Sequence, residues 1–156
     1  MKKKFKISSP KGKLGILIPG IGGAVSTSFI AGIEAYKLGI GELYGSLSHM
    51  GTIRLGKRTK KKSPLIKDLV PLADIEDLEF FGWDVYKENC YEAALKAGVL
   101  DETILNQIKP SLESIVPKDA VFNKKYASNL KGKNVKKEKN YLKLAQELIN
   151  DIEEFK

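Results

Sequence analysis

The hydrophobic pattern of the chain changes period close to its start. Leu14 to Ile18 is a short, nearly continuous apolar run, the form of a buried strand, and it ends at Pro19 and Gly20 because proline has no N–H to give a sheet ladder. After a glycine cluster the period becomes helical. Phe29, Ile30, Ile33 and Leu38 recur at helical spacing and predict a helix over 24–38, with Ser26 or Thr27 able to cap its first N–H groups and Gly39 and Gly41 stopping it. The stretch "ELYGSLSHM" predicts a second, short strand, and the polar, basic, proline-marked residues 51–71 predict a long excursion. "DLEFFGWDV" predicts a third strand with its polar end at Asp84. "ENCYEAALKAG" predicts a helix stopped by Gly98, and "DETILNQIKPSLESI" one interrupted at Pro110. Beyond a basic loop at 131–139, "NYLKLAQELINDIEEF" predicts an amphipathic helix with Leu142, Ala145, Leu148, Ile149 and Ile152 on one face.

Strand, glycine turn, helix, then further strands and helices describe an α/β fold, Rossmann-like, with a mainly parallel sheet and flanking helices. The last helix has the position of a crossover with no strand after it, so the fold is expected to be incomplete at its C-terminal end. The expected division is a basic, flexible segment over 1–12 and a partial dinucleotide-binding domain over 13–156 with a basic loop inserted around 48–71.

The glycine turn is the first candidate site. A turn between a strand and a helix presents backbone N–H groups at a helix N-terminus, where the dipole and the unpaired donors favour a phosphate. Gly20, Gly22 and Gly23 would let that phosphate approach the backbone, and a side chain at Gly22 is expected to enter its space. The pattern G-x-G-x-x-G is only partly met, since Val25 holds the third glycine position, and a tight turn without a ligand fits the loop as well. Asp84, at the end of a later strand, suits the carboxylate that accepts hydrogen bonds from an adenosine ribose. It lies farther from the turn than the ~20 residues of a compact unit, which agrees with an insertion; the other reading of Asp84 is a cap of the next helix.

Composition narrows the classes. The 156 residues, 42% of them hydrophobic, suit one domain. The net charge of +8 would suit a nucleic-acid binder, but it is concentrated in residues 1–13, 54–62 and 131–139, which together carry +16 and leave −8 elsewhere. These clusters hold no interleaved aromatics to stack on bases, so they are expected to be solvated loops and a frayed terminus, with no nucleic-acid partner. Arg54, Lys57 and Arg58 carry a weaker reading, attraction of a small anion. No window approaches the ~20 apolar residues of a membrane span and the start lacks a convincing secretory signal, so a cytoplasmic protein without a membrane partner is expected. Cys90, the one cysteine, is expected to be a small buried hydrophobe. His49 is given a structural role rather than that of a general base, on the expectation that no serine, cysteine or acid partners it. Phe80, Phe81, Trp83 and Tyr86 are read as sheet packing.

Four blocks in order, "PGIGGAVSTSFIAGI", "YGSLSHMGTIRLGKR", "FFGWDVYKENCYEAALKAGVLD" and "SLESIVPKDAVFNKKYASNL", resemble the N-terminal, NAD-binding part of inositol-3-phosphate synthases. The resemblance covers most of residues 13–156. It implies an NAD-dependent isomerase of inositol and phospholipid biosynthesis that converts D-glucose 6-phosphate to inositol phosphate as a homotetramer. In that family NAD oxidises the sugar, an enolised intermediate closes by an aldol step, and the NADH formed reduces the ring ketone. On the matching positions, Gly20, Gly22 and Gly23 would cradle the pyrophosphate, Ser26 and Thr27 would stand at the helix start, and Asp84 would hold the ribose. Where the family commonly continues with Asn-Asn-Gly this chain has Ala24-Val25, so only backbone contacts carry over from that segment. The family's lysine-rich catalytic and tetramerisation region lies past position 156, so no catalytic residue is assigned and the chain alone is expected to be inactive. The remaining alternatives are an NAD(P)-binding domain of another dehydrogenase-like enzyme and, distantly, a basic nucleic-acid-binding protein.

Overall fold

The computed structural model of the chain describes residue 8 and residues 11–156, so most of the basic 1–12 segment lies outside the described residues. Three strands, β1 (Leu14–Pro19), β2 (Leu78–Asp84) and β3 (Lys118–Asp119), form one parallel sheet in the order β1-β2-β3. The register runs from Leu14 opposite Leu78 to Pro19 opposite Trp83, and Asp84 lies opposite Asp119. The strands therefore end together at one edge of the sheet.

Parallel neighbours need crossovers, and helices supply them. After β1 comes α1 (Ala24–Lys37); after β2 come α3 (Cys90–Ala97), α4 (Glu102–Gln107) and α5 (Lys109–Glu113), with the four-residue α2 (Leu47–Met50) lying between α1 and β2. Helix α1 packs on α3, α4 and α5, which places both crossovers on one face of the sheet. Ile21, Ile30, Leu105, Ile108 and Leu112 are fully buried there, each contributing roughly 1.5–3 kcal/mol through side-chain burial. The opposite face is covered by α6 (Tyr141–Phe155), whose Phe155 ring stacks on Phe81 at 4.8 Å.

The alternation of β2 explains the split. Leu78, Phe80, Gly82 and Asp84 are buried on the α1 side, whereas Phe81 and Trp83 face α6. Phe80 meets Phe29 edge-on at 5.6 Å and Trp83 Nε1 donates to Asp151 Oδ2 at 2.7 Å, so the aromatic cluster is packing, as its spacing suggests. Tyr86, past the strand, stands apart at the rim. Gly82 is required because a Cβ there would collide with the Ile18 carbonyl oxygen.

Local signals set most helix ends. Asn89 and Glu92 form a capping box at the start of α3, and Gly98, at φ +64°, ends it in the left-handed conformation. Pro110 separates α4 from α5, where it occupies the first turn.

Three expectations are corrected. Residues 42–50 are not a strand: Gly45 breaks the short run, and local bonds such as Ser46 N–H to Leu43 O (2.8 Å) and Met50 N–H to Ser46 O (2.9 Å) turn it into a bend and α2. On α6 the inward line is Leu144, which is buried, with Leu148, Ile152 and Phe155 half-buried, while Leu142 and Ile149 are 83% and 51% exposed and Ala145 is exposed too. The bond from Trp83 to Asp151 sets that rotation. The 131–139 loop is not simply solvated: Asn134 is buried, and Lys136 pairs with Asp151 at 2.8 Å.

The 51–71 excursion is ordered. Its legs pair through Thr52 and Leu65, with Ile53 N–H donating to Pro64 O (3.0 Å) and Leu55 N–H to Lys62 O (2.9 Å), and they carry Arg54, Lys57 and Arg58 outward as an exposed tongue.

Candidate functional site

The glycine turn sits at the C-terminal edge of the sheet, where open α/β folds bind ligands. Gly20 leaves β1 at φ +79°, a conformation that favours glycine, and its N–H donates to Trp83 O at 2.7 Å. A Cβ on Gly20 would meet open space, so this is the backbone that a ligand reaches most directly. Gly23 serves as N-cap of α1, and its N–H closes the turn onto Gly20 O at 3.0 Å.

Ser26 and Thr27 do not cap α1, contrary to expectation. Ser26 Oγ donates to Gly20 O at 3.0 Å, and Thr27 Oγ1 donates to Gly23 O at 3.0 Å and Ala24 O at 3.2 Å. Both hydroxyls point back at turn carbonyls that already accept a backbone N–H, Gly20 O from Gly23 and Gly23 O from Thr27. No side chain therefore accepts from the first N–H groups of α1, those of Ala24, Val25 and Ser26. An uncapped helix start beside open glycine backbone is a good match for a phosphate.

Asp84 joins the turn to the end of β2. Its carboxylate is 7% exposed; Oδ2 accepts the Gly22 N–H at 2.9 Å and Oδ1 the Tyr86 N–H at 3.0 Å. Asp84 is thus not the cap of the next helix, a role that Asn89 fills. Gly22 stands tightly against the acid: a Cβ there would come within 3.1 Å of Asp84 Oδ2, so that a side chain would press on the carboxylate.

A cavity of about 590 Å³ opens beside these groups. Gly20, Gly22, Gly23 and Asp84 form one wall, and apolar residues form the rest: Val121 and Phe122 after β3, Leu130, and Leu148 and Ile152 of α6. A few backbone and carboxylate groups converging in an apolar cleft are what a nucleotide needs. Asn134, unforeseen from the sequence, supports the cleft: its Nδ2 donates to Asp84 O (2.9 Å) and Lys118 O (3.3 Å), clamping the ends of β2 and β3. Its only sequence signal is a polar residue amid lysines.

Other candidates stay outside this cleft. The tongue with Arg54, Lys57 and Arg58 does not line it, and nor does His49. His49 does have a partner, in contrast to expectation, because Ser46 at the start of α2 places Oγ 2.8 Å from Nδ1. That contact closes one helical turn, in keeping with a structural role. Cys90 is buried and its thiol is pushed up to about 12, first by burial and then by the nearby Asp84 charge, which makes it inert. Among the described residues no helix is long and apolar enough to cross a membrane, and no group of acid, histidine or cysteine side chains is arranged for a metal ion.

Known proteins resemble this chain in sequence and in fold. A family model of an NAD-binding type, described as Myo-inositol-1-phosphate synthase, matches residues 14–156. Inositol-3-phosphate synthase 1 of Bacteroides thetaiotaomicron is 40% identical over 153 residues, covering 98% of this chain and 35% of the relative. Inositol-3-phosphate synthase 1 of Oryza sativa subsp. japonica is 32% identical over 171 residues, covering 97% of this chain and 32% of the relative. A crystal structure of inositol-3-phosphate synthase from Caenorhabditis elegans superimposes with a TM-score of 0.79 at 25% identity, over 93% of this chain and 32% of that one. The chain spans about a third of the length of these relatives. Because the family model spans nearly the whole described chain, the chain belongs to the myo-inositol-1-phosphate synthase family.

Proposed function

We propose that this chain is the NAD-binding portion of an inositol-3-phosphate synthase, which isomerises D-glucose 6-phosphate to inositol 3-phosphate as a homotetramer. The observation that carries the reading is the joint between Asp84 and Gly22. One carboxylate holds the phosphate-type turn in place and stands at the strand end where a ribose is read. The N–H groups of Ala24, Val25 and Ser26 would surround the pyrophosphate, with the dipole of the 14-residue α1 behind them. Asp84, its two oxygens each fixed by one backbone donor, keeps further lone pairs for ribose hydroxyls. Val121, Phe122 and Leu130 would exclude water from the bound base. When bound, NAD supplies a hydride acceptor that is regenerated within the same turnover. The chain matches about a third of the length of its relatives, and in this reading it holds the cofactor while the sugar chemistry falls to the part of them that it does not match.

Calorimetric titration of the chain with NAD, paired with ³¹P NMR of glucose 6-phosphate incubated with chain and NAD, tests both halves. Saturable binding without turnover is expected. A folded chain that binds no NAD refutes the cofactor reading, and inositol phosphate in the spectrum refutes the assignment of catalysis elsewhere. Gly22→Val is the control: by pushing Asp84 off the turn it should weaken NAD binding at least tenfold.

A further inference from the structure

Beside the main cleft lies a second pocket of about 330 Å³, which the cofactor reading above does not use. Gly22 and Tyr86 line both, so the two cavities meet at the Asp84 end of the turn. The other walls of the small pocket are Ala24 at the start of α1, Glu88 in the loop after β2, and Ala93 and Lys96 of α3. Its charged content is a single pair. Lys96 Nζ donates to Glu88 Oε1 at 2.9 Å and stands 5.1 Å from the centre of the Tyr86 ring.

Without Glu88 this pocket would suit a phosphate. It would hold a lysine, and at its edge the uncapped start of α1. Nucleotides that carry a phosphate on the ribose 2′ oxygen are held by a cation near the strand end that otherwise reads the free hydroxyl. Lys96 is such a cation, but Glu88 occupies it: the pairing holds the Glu88 carboxyl below the usual carboxylate range and raises Lys96 above its own, so both stay charged at neutral pH. An incoming dianion then meets two carboxylates, Asp84 and Glu88, and a cation whose charge is already answered.

Resting on the cofactor reading, we propose that Glu88 is a specificity-determining residue. By pairing with Lys96 it closes the small pocket to a 2′-phosphate and makes the site select the nicotinamide dinucleotide that lacks one. The device is separate from the grip on the pyrophosphate, because neither Glu88 nor Lys96 lines the main cleft.

The test is equilibrium titration of the whole chain with NAD and with NADP, for the parent, Glu88→Gln and Glu88→Gln/Lys96→Met, with circular dichroism confirming the fold. The Lys96 side chain is exposed and that of Glu88 partly so, and folding should be retained. Glu88→Gln is expected to shift the affinity ratio toward NADP at least fivefold, by an amount that shrinks with added salt. Adding Lys96→Met should return the ratio to the parent value. An unchanged ratio in Glu88→Gln, with NAD still bound, overturns the proposal while leaving the cofactor reading intact, and so does a shift that survives Lys96→Met. A parent that binds neither nucleotide overturns the cofactor reading and this assignment with it.

Discussion

Replacing Asp84 with asparagine should cost stability and cofactor affinity together. The carboxylate accepts two backbone N–H groups with different oxygens, Gly22 at 2.9 Å and Tyr86 at 3.0 Å, in a site that is 7% exposed. An asparagine offers one carbonyl oxygen, so whichever way the amide turns, its NH₂ group faces one of the two donors. The loss is a charge-assisted hydrogen bond together with a donor left in a poorly hydrated place, about 2–3 kcal/mol in all. The turn should not unravel, because Gly20 N–H still holds Trp83 O at 2.7 Å and Gly23 N–H still holds Gly20 O at 3.0 Å. For a domain of this size the expected fall in Tm is roughly 4–12 °C. Thermal and urea unfolding measure the first effect, and calorimetry with NAD on the folded variant measures the second, expected at about tenfold. A Tm within about 1 °C of the parent would refute the account of the turn. A clear loss of stability with unchanged NAD affinity would reduce Asp84 to a structural group.

Two further measurements probe the surroundings of that carboxylate. Asn134→Ala removes the amide that donates to Asp84 O and Lys118 O, so it should lower the urea midpoint by the equivalent of about 1–3 kcal/mol without changing the m-value; an unchanged midpoint would show that the clamp is dispensable. Burial raises the Cys90 thiol from 9.0 to about 12, so above pH 9 the unfolded chain loses a proton that the folded chain keeps, and stability should fall with rising pH by up to ~1.4 kcal/mol per unit from this group. Unfolding of the parent and Cys90→Ala between pH 8 and 10.5 should show the shallower slope in the variant, and equal slopes would refute the argument.

What could be read from the sequence was whatever its own neighbours determine. β1, α1, β2 and α3 stand where period, proline, glycine and capping residues put them, because those signals act over a few residues. What could not be read depends on groups far away in the chain. The apolar residues of α6 mark a helix, yet which of them face inward follows from Trp83, 68 residues earlier, taking Asp151 as its acceptor. Asn134 looks like one polar residue in a basic loop until the carbonyl of Asp84, 50 residues away, is placed beside it. Ser26 and Thr27 have the residue types of helix caps, but Gly20 and Gly23 offer them carbonyls instead, and the helix start stays open.

The three glycines of the cluster meet three different needs of the turn itself. All three glycines were expected to make room for a phosphate. In the fold Gly20 supplies a positive φ, Gly22 makes room for the Asp84 carboxylate, and Gly23 would bring a Cβ within 3.2 Å of the Gly20 carbonyl oxygen. The turn and the acid 62 residues later are therefore one unit held by a hydrogen bond, and the spacing between them is free to vary as long as β2 returns beside β1. That freedom leaves room for the exposed tongue. An excursion over 51–71 leaves the geometry of the site untouched because the parallel register from Leu14–Leu78 to Pro19–Trp83, rather than the length of chain between, brings Asp84 to Gly22.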